Sequence, residues 1–308
     1  MGCSSHAAPS GAPQVGRALT AALAAADHER APWRCAALDG PPLAAEDLAA
    51  GAHHWRAADH ALRRDDPAPA IAIGVIADAG GSAPPTIAAL GRLRAKLDAA
   101  SPDVVLALGG MGATRAELEA TLGALADHAS FPLIALPGDL EPVGGQAAAI
   151  AALRERGDLV VDGRLARFIE LPGVTIGTVP GEPGAARLAA GDDGCAWSPE
   201  DAARVYAELS ARPGLRIAAT ADPPRGAADR PAGELGLVAA QPIDVALYGP
   251  RGAAASPATS GGRDGAAIAL TPGTRDATAR LPERRAPSAG VLVIRGATWS
   301  WHPIVDAP

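Results

Sequence analysis

The sequence predicts an α/β protein built on parallel strands, and three observations support this class. Short apolar runs of strand length recur along the chain, for example Ile71–Ile76 and Val104–Leu108. Amphipathic helical patterns lie between consecutive runs, which requires parallel pairing with helical crossovers. The composition is that of a globular protein, with 48% hydrophobic and 20% charged residues in 308.

The alternation of strands and helices begins at residue 70. Each predicted strand ends in a turn rich in Gly or Pro, such as Gly109-Gly110 or Pro137-Gly138. The pattern predicts strands at Ile71–Ile76, Asp103–Leu108 and Pro132–Leu136, and helices at Thr86–Ala100, Arg115–His128 and Gln146–Arg156.

The second half of the chain is richer in strands. One helix is expected at Pro199–Ala211, and Ala253–Gly265 is expected to be a loop of small residues. The last two strands, joined by Gly296-Ala297, predict a terminal hairpin. The strand candidates are Val160–Val161, Leu165–Leu171, Val174–Val179, Leu215–Ala219, Val245–Tyr248, Ala266–Leu270, Val291–Arg295 and Thr298–His302.

The part of the chain before residue 70 is organised differently. Residues 1–14 are predicted to be a tether, and residues 15–69 an N-terminal extension that begins with a helix over Val15–Glu29. Residues 31–69 have no clear period, so we expect a small subdomain or an extended segment lying on the main body. The Asp/Pro-rich stretch 65–69 marks the boundary to a main domain at 70–308.

The first residues resemble the end of a bacterial lipoprotein signal, with Cys3 as the lipidated residue, although no apolar region precedes it. If the protein is exported, a Cys35–Cys195 disulfide leaves Cys3 free for lipid. The alternative is unpaired thiols in a reducing compartment. The expected location is the cell envelope of a bacterium with a GC-rich genome, and otherwise the cytoplasm.

Charge and hydropathy exclude other classes of function. The net charge is −7, so we expect no nucleic-acid partner. The apolar runs are too short to span a bilayer, so contact with a membrane would come only through a lipid on Cys3. The expected partner is a protein or a small ligand.

The turns after the predicted strands are similar to the five motifs of the calcineurin-like metallophosphoesterases. In that family the motifs are D-x-H, G-D, G-N-H-[D/E], a lone H before a Pro-rich turn, and G-H-x-H. They bind two metal ions that activate a water and hold a phosphate. The resemblance covers residues 70–305 and implies a four-layer α/β/β/α sandwich. The corresponding segments here are 76–81, 108–111, 137–141, 219–224 and 247–252.

Most of the ligand positions of that family carry other residues in this chain. Asp78 keeps its residue type, Asp139 stands in place of Asn, and Glu141 remains. No His lies between residues 129 and 301, where the last three motifs need theirs, and the chain has no Asn. The remaining ligand positions are occupied by residues that offer no metal-binding side chain: Gly80, Gly110, Leu140, Ala221, Pro250 and Gly252.

The substitutions lead us to expect a catalytically degenerate member of the family, a non-enzymatic binding or structural protein with no cofactor. The alternative is a phosphoesterase with a rebuilt carboxylate site, in which Asp78, Asp139 and Asp222 hold a divalent metal. If these carboxylates do not converge, we expect Asp78 and Asp139 to cap turns, and Glu141 and Asp222 to face solvent.

Three further features allow weaker hypotheses. The turns at Gly80-Gly81 and Gly109-Gly110 could hold an anion with their backbone N–H groups. The histidines at 53, 54 and 60 could bind a transition metal only if their segment is helical. Trp299 and Trp301 share one face of a strand, and core packing is the favoured use of that face.

Overall fold

The structure is a computed structural model that describes residues 34–138, 141–183, 194–221, 242–248, 260–262, 268–270 and 287–304. Within these ranges the chain forms two large β-sheets and four helices. The expected helix over Val15–Glu29 lies outside the described residues. No described helix is long and apolar enough to cross a membrane.

The first sheet has seven described strands. Its centre is parallel, and it continues at one side into antiparallel strands near the end of the chain. Across the sheet the strands are β14 (Ser260–Gly262), β17 (Thr298–Ile304), β16 (Ser288–Arg295), β4 (Ile71–Ala77), β5 (Val104–Leu108), β6 (Leu133–Leu136) and β7 (Val160–Asp162).

The second sheet has eight described strands. Strands β9, β12, β13 and β15, whose bounds are given below, run parallel to one another. Strands β8 and β9 form an antiparallel hairpin. Across the sheet the strands are β1 (Leu43–Ala50), β2 (His53–Asp59), β3 (Ala61–Arg63), β8 (Phe168–Leu171), β9 (Val174–Val179), β12 (Leu215–Thr220), β13 (Val245–Tyr248) and β15 (Ile268–Leu270). Two short strands, β10 (Glu182–Pro183) and β11 (Ala196–Trp197), pair apart from both sheets.

Helices cover the outer face of each sheet. Three of them pack on the seven-stranded sheet: α1 (Pro84–Ala100), α2 (Arg115–Ala126) and α3 (Val143–Glu155). The fourth, α4 (Pro199–Ser210), packs on the eight-stranded sheet through Val205, Tyr206 and Leu209. Pro at the first turn starts α1 and α4, where its missing N–H costs no helical hydrogen bond.

The main core lies between the two sheets, and it confirms the predicted α/β/β/α sandwich. Leu106 and Ile134 from the first sheet meet Ile176 and Ile217 from the second in one buried cluster. Strands that are buried on both faces need apolar residues on both faces, which explains the continuous apolar runs of the sequence. Trp299 and Trp301 belong to this cluster, so the preferred core-packing interpretation of these residues is confirmed.

The segment 43–63 forms three strands of the eight-stranded sheet. β1 and β2 make an antiparallel hairpin, and β3 pairs in parallel with β8. Trp55 and Leu62 are buried in the cluster between the sheets. No strands were predicted for this segment from the sequence. The exposed face of these strands carries Asp, His and Arg among small residues, so the segment contains no continuous apolar run. The domain boundary after residue 69 stays a prediction.

Elsewhere the predicted elements agree with the structure to within a few residues. The expected hairpin at Gly296-Ala297 joins β16 and β17. One expectation was wrong: β14 lies inside the stretch 253–265 that was predicted to be a loop, and it pairs with β17. Its Ser and Gly residues give no apolar alternation, so the neighbouring strand and not local propensity explains the pairing.

Candidate functional site

Four strands end at the same edge of the sandwich. The turns after β4, β5 and β6 come from the first sheet, and the turn after β12 comes from the second. We call this region the crevice and define it by Asp78, Gly109–Met111, Gly138, Glu141 and Ala221. It is the place where the carboxyl ends of parallel strands converge, and where a ligand site in this kind of fold is expected.

Small residues close the crevice. A Cβ atom built on Gly109 would lie 2.9 Å from the Cβ atom of Ala221 and 2.9 Å from the Cα atom of Gly138. Gly109 also has a φ of +68°, a conformation that residues with side chains rarely adopt. The two sheets therefore touch at their strand ends, and the contact exists because these positions have little or no side chain.

Asp78 lies directly against Gly110. A Cβ atom on Gly110 would stand 2.9 Å from the Asp78 Cα atom and 3.3 Å from its Oδ1. The backbone N–H of Asp78 donates to the carbonyl of Gly109 at 3.1 Å, and its φ is +61°. The Asp78 carboxylate thus lies beside the space that a side chain at position 110 would need.

Glu141 is buried, with 1% of its surface exposed. Its Oε1 accepts a hydrogen bond from the N–H of Met111 at 2.5 Å, and its Oε2 accepts one from the N–H of Gly138 at 2.8 Å. The expectation that Glu141 faces solvent is therefore wrong. The carboxylate joins the turns after β5 and β6, because both turns aim backbone donors at one buried point.

The other positions of the expected site are not all described. Asp139, Leu140, Asp222, Pro250 and Gly252 lie outside the described residues. The convergence of Asp78, Asp139 and Asp222 therefore stays a prediction. Within the described ranges, no group of three or more His, Cys, Asp or Glu side chains is arranged to hold a metal ion.

The described crevice residues do not fit a two-metal centre. A carboxylate at position 110 would collide with the backbone of Asp78 in this conformation, and Gly110 supplies no ligand. Glu141 already uses one oxygen for each of two backbone N–H groups. Ala221, which the resemblance aligns with a His ligand, packs against Gly109. In the described part of the crevice these positions make contacts among the chain's own atoms.

The glycine turns are also used internally. The N–H of Gly80 donates to the carbonyl of Gly110 at 2.7 Å, so this turn is bonded to the next one. The N–H of Gly109 donates to the carbonyl of Leu136 at 2.9 Å. Both amides are directed at carbonyls of the protein, which argues against an anion site built on Gly80 or Gly109.

The hypothesis that His53, His54 and His60 bind a transition metal required a helical segment, and this segment is not helical. His53 and His54 are neighbours on strand β2, so their side chains point to opposite faces of the sheet. His53 Nδ1 lies 3.4 Å from Asp66 Oδ2, and His60 Nδ1 lies 3.4 Å from the carbonyl of Leu165. The three rings do not share a helix face.

A disulfide lies beside the crevice. Cys35 and Cys195 are bonded, with 5.6 Å between their Cα atoms. Residues 194–197, which we call the strap, run past the turn after β9, where the N–H of Glu182 donates to the carbonyl of Cys195 at 3.1 Å. This pairing was one of the alternatives left open by the sequence, and the structure contains it.

Alternating acidic and basic side chains lie at this edge, and no pattern in the sequence predicted them. Asp201 pairs with Arg34 at 2.6 Å, and Asp162 pairs with Arg164 at 2.5 Å. Arg167 is 4% exposed, and burial is the main cause that lowers its pKa to about 9, with Asp162 opposing the shift. It donates through Nη1 to the carbonyl of Gly163 at 3.1 Å. Arg167 is therefore still charged at neutral pH.

Similarity to known proteins extends to the fold only. No protein-family model matches the sequence, and no curated protein matches it. A solved structure aligns with a TM-score of 0.52 at 10% identity, over 77% of this chain and all of that one. A protein of Thermus thermophilus aligns at 0.49 with 13% identity, over 74% of this chain and 98% of its own.

A dimetal phosphatase from Danio rerio aligns with a TM-score of 0.48 at 10% identity, over 78% of this chain and all of that one. At this level of identity these alignments say nothing about activity. The order of the strands, the two helical layers and the converging strand ends carry the fold assignment. The chain therefore has the fold of a two-sheet α/β/β/α sandwich, with its candidate site at the carboxyl ends of the strands.

Proposed function

We propose that this chain is a catalytically degenerate metallophosphoesterase-like protein that acts by binding or by structure and not by hydrolysis. In this proposal the crevice has lost its metal centre, and its residues now join the two sheets. The partner is a protein or a small ligand, and no nucleic acid is expected to bind because the net charge is −7.

The bonding of Glu141 is the observation that carries the proposal. A carboxylate that remains at a family ligand position accepts one backbone N–H on each oxygen and is 1% exposed. Leaving two buried N–H groups without acceptors would cost several kcal/mol, so Glu141 is not readily available to a metal ion. The contact of Gly109 with Ala221 and Gly138 supports the same conclusion.

The distribution of histidines supports the proposal independently. The seven histidines are at positions 6, 28, 53, 54, 60, 128 and 302. Imidazole is a preferred ligand of zinc and iron, and the stretch 129–301 supplies none. A rebuilt site would have to use carboxylates alone, which suits Mg²⁺ or Ca²⁺.

The experiment measures metal content and hydrolysis on the same protein. The full chain is purified without chelator, its metals are counted by mass spectrometry, and it is assayed on a phosphodiester and a phosphomonoester with Mg²⁺, Ca²⁺, Mn²⁺ and Zn²⁺. We expect no stoichiometric metal and no turnover above buffer.

The rival function is a phosphoesterase with a rebuilt carboxylate site at Asp78, Asp139 and Asp222. Bound metal together with turnover that is lost in Asp78→Ala would establish it and refute the proposal. Asp127→Ala is the matched control, because Asp127 is an exposed carboxylate at the end of α2. This helix connects two parallel strands and therefore ends at the opposite edge of the sheet from the crevice turns. Turnover that survives both changes would point to a contaminating enzyme.

We also propose that the protein resides in a bacterial cell envelope as a lipoprotein anchored through Cys3. The Cys35–Cys195 disulfide supports this, because disulfides persist in oxidising compartments and leave Cys3 as the remaining thiol. Mass spectrometry of the N-terminal peptide from native membranes tests it. An unmodified Cys3 in protein isolated from its own cell would contradict the anchor.

A further inference from the structure

The strap joins parts of the chain that belong to both sheets. Gly194 pairs with Pro142, which starts α3 after the β6 turn. Ala196 and Trp197 pair with Glu182 and Pro183 beyond the end of β9. The strap therefore lies between the β6 turn of the first sheet and the β9 turn of the second, at one side of the crevice.

Hydrogen bonds continue this connection between the two turns. The N–H of Gly181 donates to the carbonyl of Pro137 at 2.7 Å, which links the β9 turn directly to the β6 turn. The indole N–H of Trp197 donates to the carbonyl of Gly181 at 3.2 Å. A Cβ atom on Gly181 would lie 2.5 Å from the carbonyl oxygen of Cys195, so the strap packs tightly on this turn.

The disulfide fixes the strap from its other side. Cys35 donates its N–H to the carbonyl of Ala196 at 3.0 Å, and its sulfur is bonded to Cys195. Arg34, the preceding residue, pairs with Asp201 in the first turn of α4. Cys35 and Cys195 are 4% and 0% exposed, so water and small thiols do not reach the bond in the closed protein.

We propose that the Cys35–Cys195 disulfide is a redox-dependent latch that closes the strap over the β6 and β9 side of the crevice. Oxidation closes the latch, and burial then protects it. In the reduced chain the strap keeps its hydrogen bonds and the packing of Trp197 against α4 but loses its covalent link to Cys35. This side of the crevice therefore opens locally while the two sheets stay packed.

The closing step is thiol–disulfide exchange with an oxidising disulfide of another molecule. One cysteine thiolate attacks that disulfide and breaks its S–S bond, which forms a mixed disulfide with one sulfur and releases the other as a thiolate. The second thiolate then displaces the outgoing sulfur as a thiolate. Two protons leave the cysteines, two electrons pass to the oxidant, and the oxidant becomes a dithiol.

Hydrogen–deuterium exchange of the full chain tests the latch. The oxidised protein is compared with the double variant Cys35→Ser/Cys195→Ser and with wild-type protein folded and kept in a dithiol reductant. We expect the amides of Gly181 and Glu182 to exchange at least about tenfold faster in both samples that lack the disulfide, the double variant and the reduced wild type. The amides of Leu106 and Ala107 in β5 serve as the internal reference and should not change.

Cys3→Ser is the matched control, since it removes a thiol and keeps the pair that forms the disulfide. It should exchange like the oxidised wild type. Equal exchange at Gly181 and Glu182 with and without the disulfide would overturn the proposal. So would loss of the fold in both reduced forms, or a uniform increase that includes β5, because the disulfide would then stabilise the whole molecule and not one side of the crevice.

Discussion

Glu141 holds a carboxylate at a place where only 1% of the residue is exposed, and it bonds to two backbone N–H groups from two turns. A buried charge is unfavourable unless it is fully hydrogen-bonded. Here the donors are backbone groups of Met111 and Gly138, which are fixed by the strands that precede them. The residue thus stabilises the crevice by joining two of its turns.

Replacing Glu141 should destabilise the protein strongly. Glu141→Ala removes two charge-assisted hydrogen bonds and leaves two buried N–H groups unsatisfied, so we expect a loss of about 3 kcal/mol or more in the free energy of unfolding. Glu141→Gln keeps one acceptor but places an NH₂ group against an N–H donor, so we expect an intermediate loss. Urea denaturation measures both.

The control for this change is Glu155→Ala, which alters an exposed glutamate at the end of α3. We expect a change within about 0.5 kcal/mol there, as at most surface sites. If Glu141→Ala were equally mild, the two hydrogen bonds would not hold the crevice, and the main support for degeneracy would be lost.

Tyr248 ends β13 and is 3% exposed. Burial raises the pKa of its phenol above the ordinary value of 10.0. Above pH 10 the unfolded chain loses this proton while the folded chain keeps it, so the folded state binds more protons and stability falls as the pH rises. We expect Tyr248→Phe to lose less stability than the wild type between pH 10 and 11. Parallel pH curves from urea denaturation would contradict this.

Among the elements, α4 shows how one residue serves local and tertiary structure together. Ser198 and Asp201 form a capping box at its start, and Asp201 also pairs with Arg34. α2 has the same kind of box from Thr114 and Glu117, but on an exposed surface. Both helices begin with a capping box, so a comparison shows how much the ion pair and the burial of Asp201 add to a helix cap.

We therefore expect Asp201→Ala to cost about 3 kcal/mol, because it breaks a capping box and removes the buried carboxylate that pairs with Arg34. Glu117→Ala should cost only about 1 kcal/mol, the usual value of a cap. Thermal denaturation followed by circular dichroism compares them. Similar losses at the two positions would show that the Arg34 pair contributes nothing measurable.

The core between the sheets contains residues from both ends of the described chain. Leu62 of β3, Leu106 of β5 and Trp301 of β17 all belong to it. The three strands from residues 43–63 therefore share their apolar burial with the strands of the main domain. Because the apolar area removed from water is common to both sheets, the sheets should unfold together.

Leu62→Ala should consequently cost as much as Leu106→Ala, about 3 kcal/mol each, since both residues are 0% exposed. Leu48→Ala, in β1, should cost less, because Leu48 is only partly buried against the same core. Urea denaturation followed by tryptophan fluorescence and by far-UV circular dichroism provides the test. Separate transitions for the two probes would show that residues 43–63 fold independently.

The sequence predicted the elements better than it predicted the site. Continuous apolar runs such as Val104–Leu108 identify buried parallel strands, because both faces of these strands must be covered. The same reasoning missed β1 to β3, where one face is exposed and the buried face mixes alanines with a few large apolar residues such as Trp55 and Leu62. It placed Glu141 in solvent, because a single carboxylate after a strand gives no indication of which backbone donors will surround it.

Strand length, turn residues and side-chain types are local properties, so the amino-acid sequence was enough to predict the α/β class of the fold. It also established that residues 129–301 contain no histidine. Three features became known only from the folded chain: the contacts of Gly109 with Gly138 and Ala221, the hydrogen bonds of Glu141 to two turns, and the bond between Cys35 and Cys195. These contacts join residues far apart in the chain, and their distances depend on how the two sheets pack.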